Sequence, residues 1–141
     1  MDRKDFLVKA GQCTAVLLFG SCLQSCSSNS SNPDIPTAPQ NVDFTVDLSK
    51  AENASLNSAG GYIYQGGIII ARINSSTFSA LSQYCTHQGA TVEYAASANE
   101  FHCPRHGSNF DDNGNVLNGP AASPLQKYNT SLNGTLLRVY S

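Results

Sequence analysis

Cys85-Thr-His87-Gln-Gly89 and Cys103-Pro-Arg-His106-Gly107-Ser108 are the stretches on which the reading of this chain turns. Each places a cysteine and a histidine two or three residues apart. A glycine follows the histidine, at Gly89 in the first stretch and Gly107 in the second. A disulfide between Cys85 and Cys103 is one reading of the two cysteines. It leaves the matching positions of His87 and His106 as an accident. Zinc also takes two cysteines and two histidines. Zinc fingers, however, usually pair cysteine with cysteine and histidine with histidine, whereas each loop here mixes the two.

Mixed pairs suit a [2Fe–2S] cluster, in which bridging sulfides fill two positions on each iron and the protein supplies the rest. Thiolates carry negative charge and favour the ferric state. Neutral imidazoles donate without charge, so the iron they hold is easier to reduce. The glycines permit a close backbone approach to the sulfides, and Pro104 stiffens the second loop. Backbone N–H groups in such loops can point at sulfur and stabilise added negative charge.

Outward from these loops the pattern is strand and turn. Val42, Phe44 and Val46 alternate with polar residues, the period of a half-buried strand. Gly60-Gly61 precedes Tyr62-Ile-Tyr64, and Gly66-Gly67 precedes Ile68-Ile-Ile-Ala-Arg-Ile73, which reads as a hairpin. Phe78, Ala80, Ser82 and Tyr84 alternate with their neighbours and lead into the first loop. Short strands at 91–94 and 100–102 lie between the loops. Asp112-Asn-Gly-Asn115 and Asn133-Gly134 are turn signals, the second joining strands at 125–128 and 135–140 with Leu137 and Val139 facing the core. A single helical turn is expected at 52–56. His102 is read as a partly exposed strand residue pointing away from the ligands. Asp111 and Asp112 are read as solvated turn acids, and Tyr62, Tyr64 and Ile68-Ile-Ile70 as packing residues.

The 141 residues suit one compact domain behind a leader. With a net charge of −2 the chain has no basic stripe for nucleic acid. Arg3, Lys4 and Lys9 precede the short apolar run Ala15-Val-Leu-Leu-Phe19, which is far below the roughly 20 residues of a membrane span. Residues 1–26 therefore read as a signal peptide. Leu23-Gln-Ser-Cys26 resembles a lipobox, and Phe19-Gly-Ser-Cys22 is a poorer alternative. Cleavage before Cys26 assigns that cysteine to lipid and leaves two of the 5 cysteines for metal. Arg3-Lys-Asp-Phe-Leu7 resembles a twin-arginine signal with Lys4 in place of the second arginine, and general secretion is the other route. Residues 27–41, rich in Ser, Asn and Pro, read as a flexible tether. Residues 42–141 read as the domain, with the metal loops within 84–125.

The two boxes resemble those of the Rieske family. Gly119-Pro120-Ala121, followed by Pro124-Leu125, resembles the proline loop that covers the family's cluster from a third side. The resemblance implies an all-β fold of three small antiparallel sheets with the cluster at one tip. It also implies that Cys85 and Cys103 bind one iron and His87 and His106 the other. Gly89, Gly107, Ser108, Phe110, Arg105 and Pro120 would surround the cluster, with the Ser108 hydroxyl bonding a bridging sulfide. Family members in cytochrome bc complexes carry an extra disulfide between the loops, where this chain has Ala90 and Arg105. They also carry a tyrosine bonded to a ligand sulfur, where this chain has Phe110. Loss of that hydrogen bond implies a potential below the bc type, within the Rieske span of roughly −150 to +300 mV.

The function so implied is one-electron transfer in an exported, lipid-anchored protein on the periplasmic side of a bacterial envelope. Its partners would be cytochrome b-type or c-type proteins or another oxidoreductase, with quinol oxidation the leading role. Donation to a separate periplasmic oxidoreductase and a non-redox structural metal module are the alternatives. No nucleophile–base pair stands outside the metal loops, so catalysis would need a partner.

Overall fold

The computed structural model describes residues 35–141. The expected signal peptide at 1–26, the expected lipid acceptor Cys26 with its alternative Cys22, and the expected tether up to residue 34 lie outside the described residues. The elements follow in the order β1 (Asp43–Asp47), a 3₁₀ helix (Ala51–Asn57), β2 (Tyr62–Gln65), β3 (Ile68–Arg72), β4 (Phe78–Ser82), β5 (Glu93–Ala95), β6 (Glu100–His102), β7 (Asn109–Phe110), β8 (Val116–Asn118), β9 (Lys127–Asn133) and β10 (Leu136–Tyr140).

The strands form three antiparallel sheets, as the family resemblance implied. One has the order β1-β10-β9, a second the order β9-β4-β3-β2, and a third the order β5-β6-β7-β8. The first two share β9, so they run on as one six-stranded order. The length of β9 makes this possible: Lys127 and Tyr128 pair with β4, whereas Asn129 to Asn133 pair with β10.

Strand β3 explains the unbroken apolar run at 68–71. A strand covered on both faces has no need to alternate. Ile68 and Ile70 join Val46, Leu56, Phe78, Ala80, Tyr128, Leu137 and Val139 in a base core. Ile69 and Ala71 point the other way, into a second core with Leu81, Val92, Phe101, Phe110, Leu125, Cys85 and Cys103. β3 and β4 thus form a wall between the base and the subdomain that carries the metal loops. At Gly66-Gly67 both residues have positive φ, +60° and +83°, as a two-residue turn matching the strand twist requires.

Three expectations are corrected. The closing hairpin turns at Gly134-Thr135 rather than Asn133-Gly134: Asn133 is the last residue of β9 and pairs with Leu136. Gly134, at φ +61°, takes the first central position of the turn, where a positive φ favours glycine. The helical turn at 52–56 is a longer 3₁₀ helix, with Asn53 buried and donating to the Asp47 carbonyl at 2.8 Å. Finally, residues 35–41 are not a free tether. Pro36 and Ile35 lie against Gly89, and Pro39 lies against Gly67 and accepts a hydrogen bond from the Tyr128 hydroxyl at 2.8 Å.

Because β3 serves both cores, Ile69→Ala and Ile70→Ala should each lower unfolding stability by about 2–5 kcal/mol, through cavities on opposite faces of one strand. Urea denaturation measures this. A loss below about 1 kcal/mol at either position would mean that the face in question is not tightly packed.

Candidate metal centre

The two loops close in the same way. In the first, the Cys85 N–H donates to the Ala90 carbonyl at 2.8 Å and the Gly89 N–H donates to the Cys85 carbonyl at 2.7 Å. In the second, the Cys103 N–H donates to the Ser108 carbonyl at 2.8 Å and the Gly107 N–H donates to the Cys103 carbonyl at 3.0 Å. Gly89 and Gly107 have φ of +70° and +80°, a region costly for residues with a Cβ. The three residues between cysteine and glycine form the turn. His87 is its middle residue in the first loop, and His106 its last in the second. The first loop is closed at its base by the bridge between Tyr84 and Thr91. The second joins β6 to β7.

This geometry brings the donor side chains together as two pairs, the histidines at the surface and the cysteines in one core. His87 Nδ1 and His106 Nδ1 face each other at 3.1 Å, with ring centroids 4.7 Å apart and planes at 81°. Two neutral imidazoles so placed either share one proton or turn both lone pairs toward a common positive centre. Cys85 and Cys103 are buried and unbridged, so the disulfide reading is not what the structure holds. Both pack into the same core. Burial pushes the Cys85 thiol above its ordinary range. The His87 backbone N–H pulls it down, the Cys103 thiol pushes it up again, and the Ser108 hydroxyl pulls it down.

Among the described residues no three His, Cys, Asp or Glu side chains gather around one point as a single-ion site would need. The donors stand instead as a sulfur pair and a nitrogen pair. Two sulfur and two nitrogen donors form a set that fits a two-iron cluster.

A third loop covers the centre. The Ala121 N–H donates to the buried Ser108 Oγ at 2.9 Å, so the hydroxyl acts there as an acceptor and its own proton remains to be donated. Asn118 Nδ2 donates to the Gly107 carbonyl at 2.7 Å, and Thr86 Oγ1 donates to the Ser123 carbonyl at 2.6 Å. These two side chains tie the third loop to the second and first loops respectively. They went unnoticed in the sequence because their partners are distant along the chain. Phe110 is fully buried beside the cysteines, whereas Arg105 and Pro120 are exposed. His102 is half-buried and its Nδ1 lies 2.6 Å from Asn109 Oδ1, across the β6–β7 pair and apart from the four donors. Asp111 is no freely solvated acid, since its carboxylate accepts from the backbone N–H groups of Asn113 and Asn115.

The sequence profile of the Rieske [2Fe-2S] domain matches residues 40–129. The cytochrome b6-f complex iron-sulfur subunit of Chlorobaculum thiosulfatiphilum is 26% identical over 95 residues, covering 67% of this chain and 52% of that protein. The chloroplastic subunit of the same name from Bigelowiella natans is 42% identical over 60 residues, covering 41% of this chain and 24% of that protein. The chain thus spans about half or less of the length of these relatives. Among solved structures, the cyanobacterial plasma membrane Rieske protein PetC3 from Synechocystis PCC 6803 has a TM-score of 0.51 at 31% identity, covering 57% of this chain and 85% of that one. The ferredoxin of carbazole 1,9a-dioxygenase from Nocardioides aromaticivorans IC177 shares the fold, with a TM-score of 0.52 at 24% identity over 74% of this chain and 98% of that one. With its two loops, its three sheets and a profile match across most of the described domain, the chain belongs to the Rieske [2Fe-2S] family of electron-transfer proteins, whose domain binds one [2Fe-2S] cluster.

Proposed function

We propose that Cys85 and Cys103 hold one iron and His87 and His106 the other, through the facing Nδ1 atoms. The observation that carries this is the sorting of the donors, with both sulfurs buried and the histidines at the surface. When bound, the cluster supplies a one-electron couple. The chain's own groups determine how it is held and reached. Phe101, Phe110 and Leu125 wall off the sulfur side from water. The Ser108 hydroxyl and the His87 backbone N–H stabilise negative charge on Cys85. His106 is exposed and His87 half-buried, so a redox partner gains its closest approach at the imidazoles.

The wider role we infer is that of an electron carrier tethered by lipid at Cys26, or at Cys22, on the periplasmic face of a bacterial envelope. It would exchange electrons with a cytochrome b-type or c-type partner during quinol oxidation. The leader sequence supports the address. The likeness to subunits named for the cytochrome b6-f complex supports the partner class. Donation to a separate periplasmic oxidoreductase is the competing outcome for the partner.

The purified protein should contain iron and acid-labile sulfide in equal amounts. After dithionite it should give an EPR signal whose average g lies below the free-electron value. Serine at Cys85 or Cys103, or leucine at His87 or His106, should abolish that signal. A colourless protein with one zinc would overturn the assignment. Phe110→Tyr should raise the midpoint potential by about 20–60 mV, if one hydrogen bond of roughly 0.5–1.5 kcal/mol acts on the reduced form alone. An unchanged or lower potential would count against this account of Phe110. Metabolic labelling with palmitate should mark the chain in a bacterial host, and Cys26→Ala with Cys22→Ala should remove the label. Label surviving the double substitution would rule out both acceptors.

A further inference from the structure

Residues 35–39 precede the family match, which starts at residue 40. They nevertheless stand against the metal centre. A Cβ on Gly89 would come within 2.6 Å of Pro36 Cδ and 3.2 Å of Ile35 Cγ2. At the equivalent glycine of the second loop, Gly107, a Cβ would meet nothing within 4 Å. Two loops with the same hydrogen bonds are therefore covered unequally. The far end of the strap is pinned, because the Pro39 carbonyl accepts from the Tyr128 hydroxyl at 2.8 Å and its ring seats on Gly67. Beside the strap an open cleft of about 310 Å³, with Ile35, Pro36, Thr37, Tyr84, Cys85 and Thr86 among its walls, remains accessible, so the strap's cover is confined to Gly89. Cys85 itself is only 1% exposed.

Composition sets the sign of the effect. Ile35, Pro36, Ala38 and Pro39 present apolar atoms, the two prolines carry no N–H, and Thr37 is the segment's one polar side chain. At Gly89 the strap therefore displaces water and offers few donors in its place. Reduction adds negative charge to the cluster. A wall that excludes water and withholds donors disfavours the charged form.

We propose that residues 35–39 form a positioning strap that covers the Gly89 corner of the Cys85 loop against water and so holds the cluster's potential down, a wall that lies ahead of the family match. The proposal rests on Cys85 being an iron ligand.

The test uses the full chain with its cluster and two variants. Ile35→Ser with Pro36→Gly removes the apolar contact on Gly89. Tyr128→Phe keeps the ring in the base core and deletes only the hydrogen bond to Pro39. Redox titration followed by EPR reads the midpoint, and hydrogen exchange with mass spectrometry reads the peptides spanning the two loops. The double variant should raise the reduced-to-oxidised ratio at a fixed poise by about threefold or more, the size of a weak hydrogen-bond term. It should speed exchange at 85–90 and leave 103–108 unchanged, so that the second loop is the internal control. Tyr128→Phe should act in the same direction with a smaller amplitude, and it carries the test if the double variant does not fold. A midpoint unchanged or lowered, or equal acceleration in both loops, would overturn the proposal. So would loss of the cluster from both variants, since a wall that tunes a potential is not needed for ligation. Absence of the EPR signal from the unaltered protein would instead refute the cluster reading, so the two failures are distinguishable.

Discussion

Two backbone hydrogen bonds, made twice, organise the metal-binding end of this domain. In each loop a cysteine amide donates to a residue five positions on, and the cysteine carbonyl accepts from the glycine at position four. The chain can close this tightly only if the glycine swings to positive φ, as Gly89 and Gly107 do. Closure leaves three residues on the outside of each turn, and a histidine is among them both times. The one-residue offset between His87 and His106 is what a facing pair requires when two similar turns approach without superimposing.

The surrounding structure holds these turns in register. The first loop springs from β4 and the second from β6, and both cysteines pack into the core on the far side of β3 and β4. The third loop locks across them through Ser108, Asn118 and Thr86. Sulfur ends up inside and imidazole outside. The same sorting gives the centre a protected end, where charge is stabilised by a few chosen donors, and an open end, where another protein can approach.

Much of this was legible in the sequence because the decisive information is local. Donor identity, the spacing to the glycines and the alternation of Val42, Phe44 and Val46 all lie within a few residues of one another. The run Ile68-Ile-Ile-Ala71 was legible as a strand, but not as a strand with a core on each face, since periodicity is silent when both sides are apolar. The extent of β9 was hidden for the opposite reason. Asn129, Ser131 and Asn133 carry no apolar signal, and the strand exists because two sheets need a shared member. The Pro-rich segment at 35–39 read as a tether because its composition is that of a linker. What fixes it is Gly89, some fifty residues along, whose missing side chain makes the space that Pro36 occupies. Thr86 and Asn118 were overlooked on the same principle: a short polar side chain gives no hint of which distant carbonyl it will find.

The wall formed by β3 and β4 also separates what depends on metal from what does not. Its base side is complete without iron: Ile68, Ile70, Phe78, Ala80 and Tyr128 bury themselves against the terminal strands and the 3₁₀ helix, and no metal donor belongs to that group. The opposite faces of the same two strands carry Ile69, Ala71 and Leu81 into the core that holds Cys85 and Cys103, so the chain's interior divides into a half that ends at the cysteines and a half that none of the four donors enters.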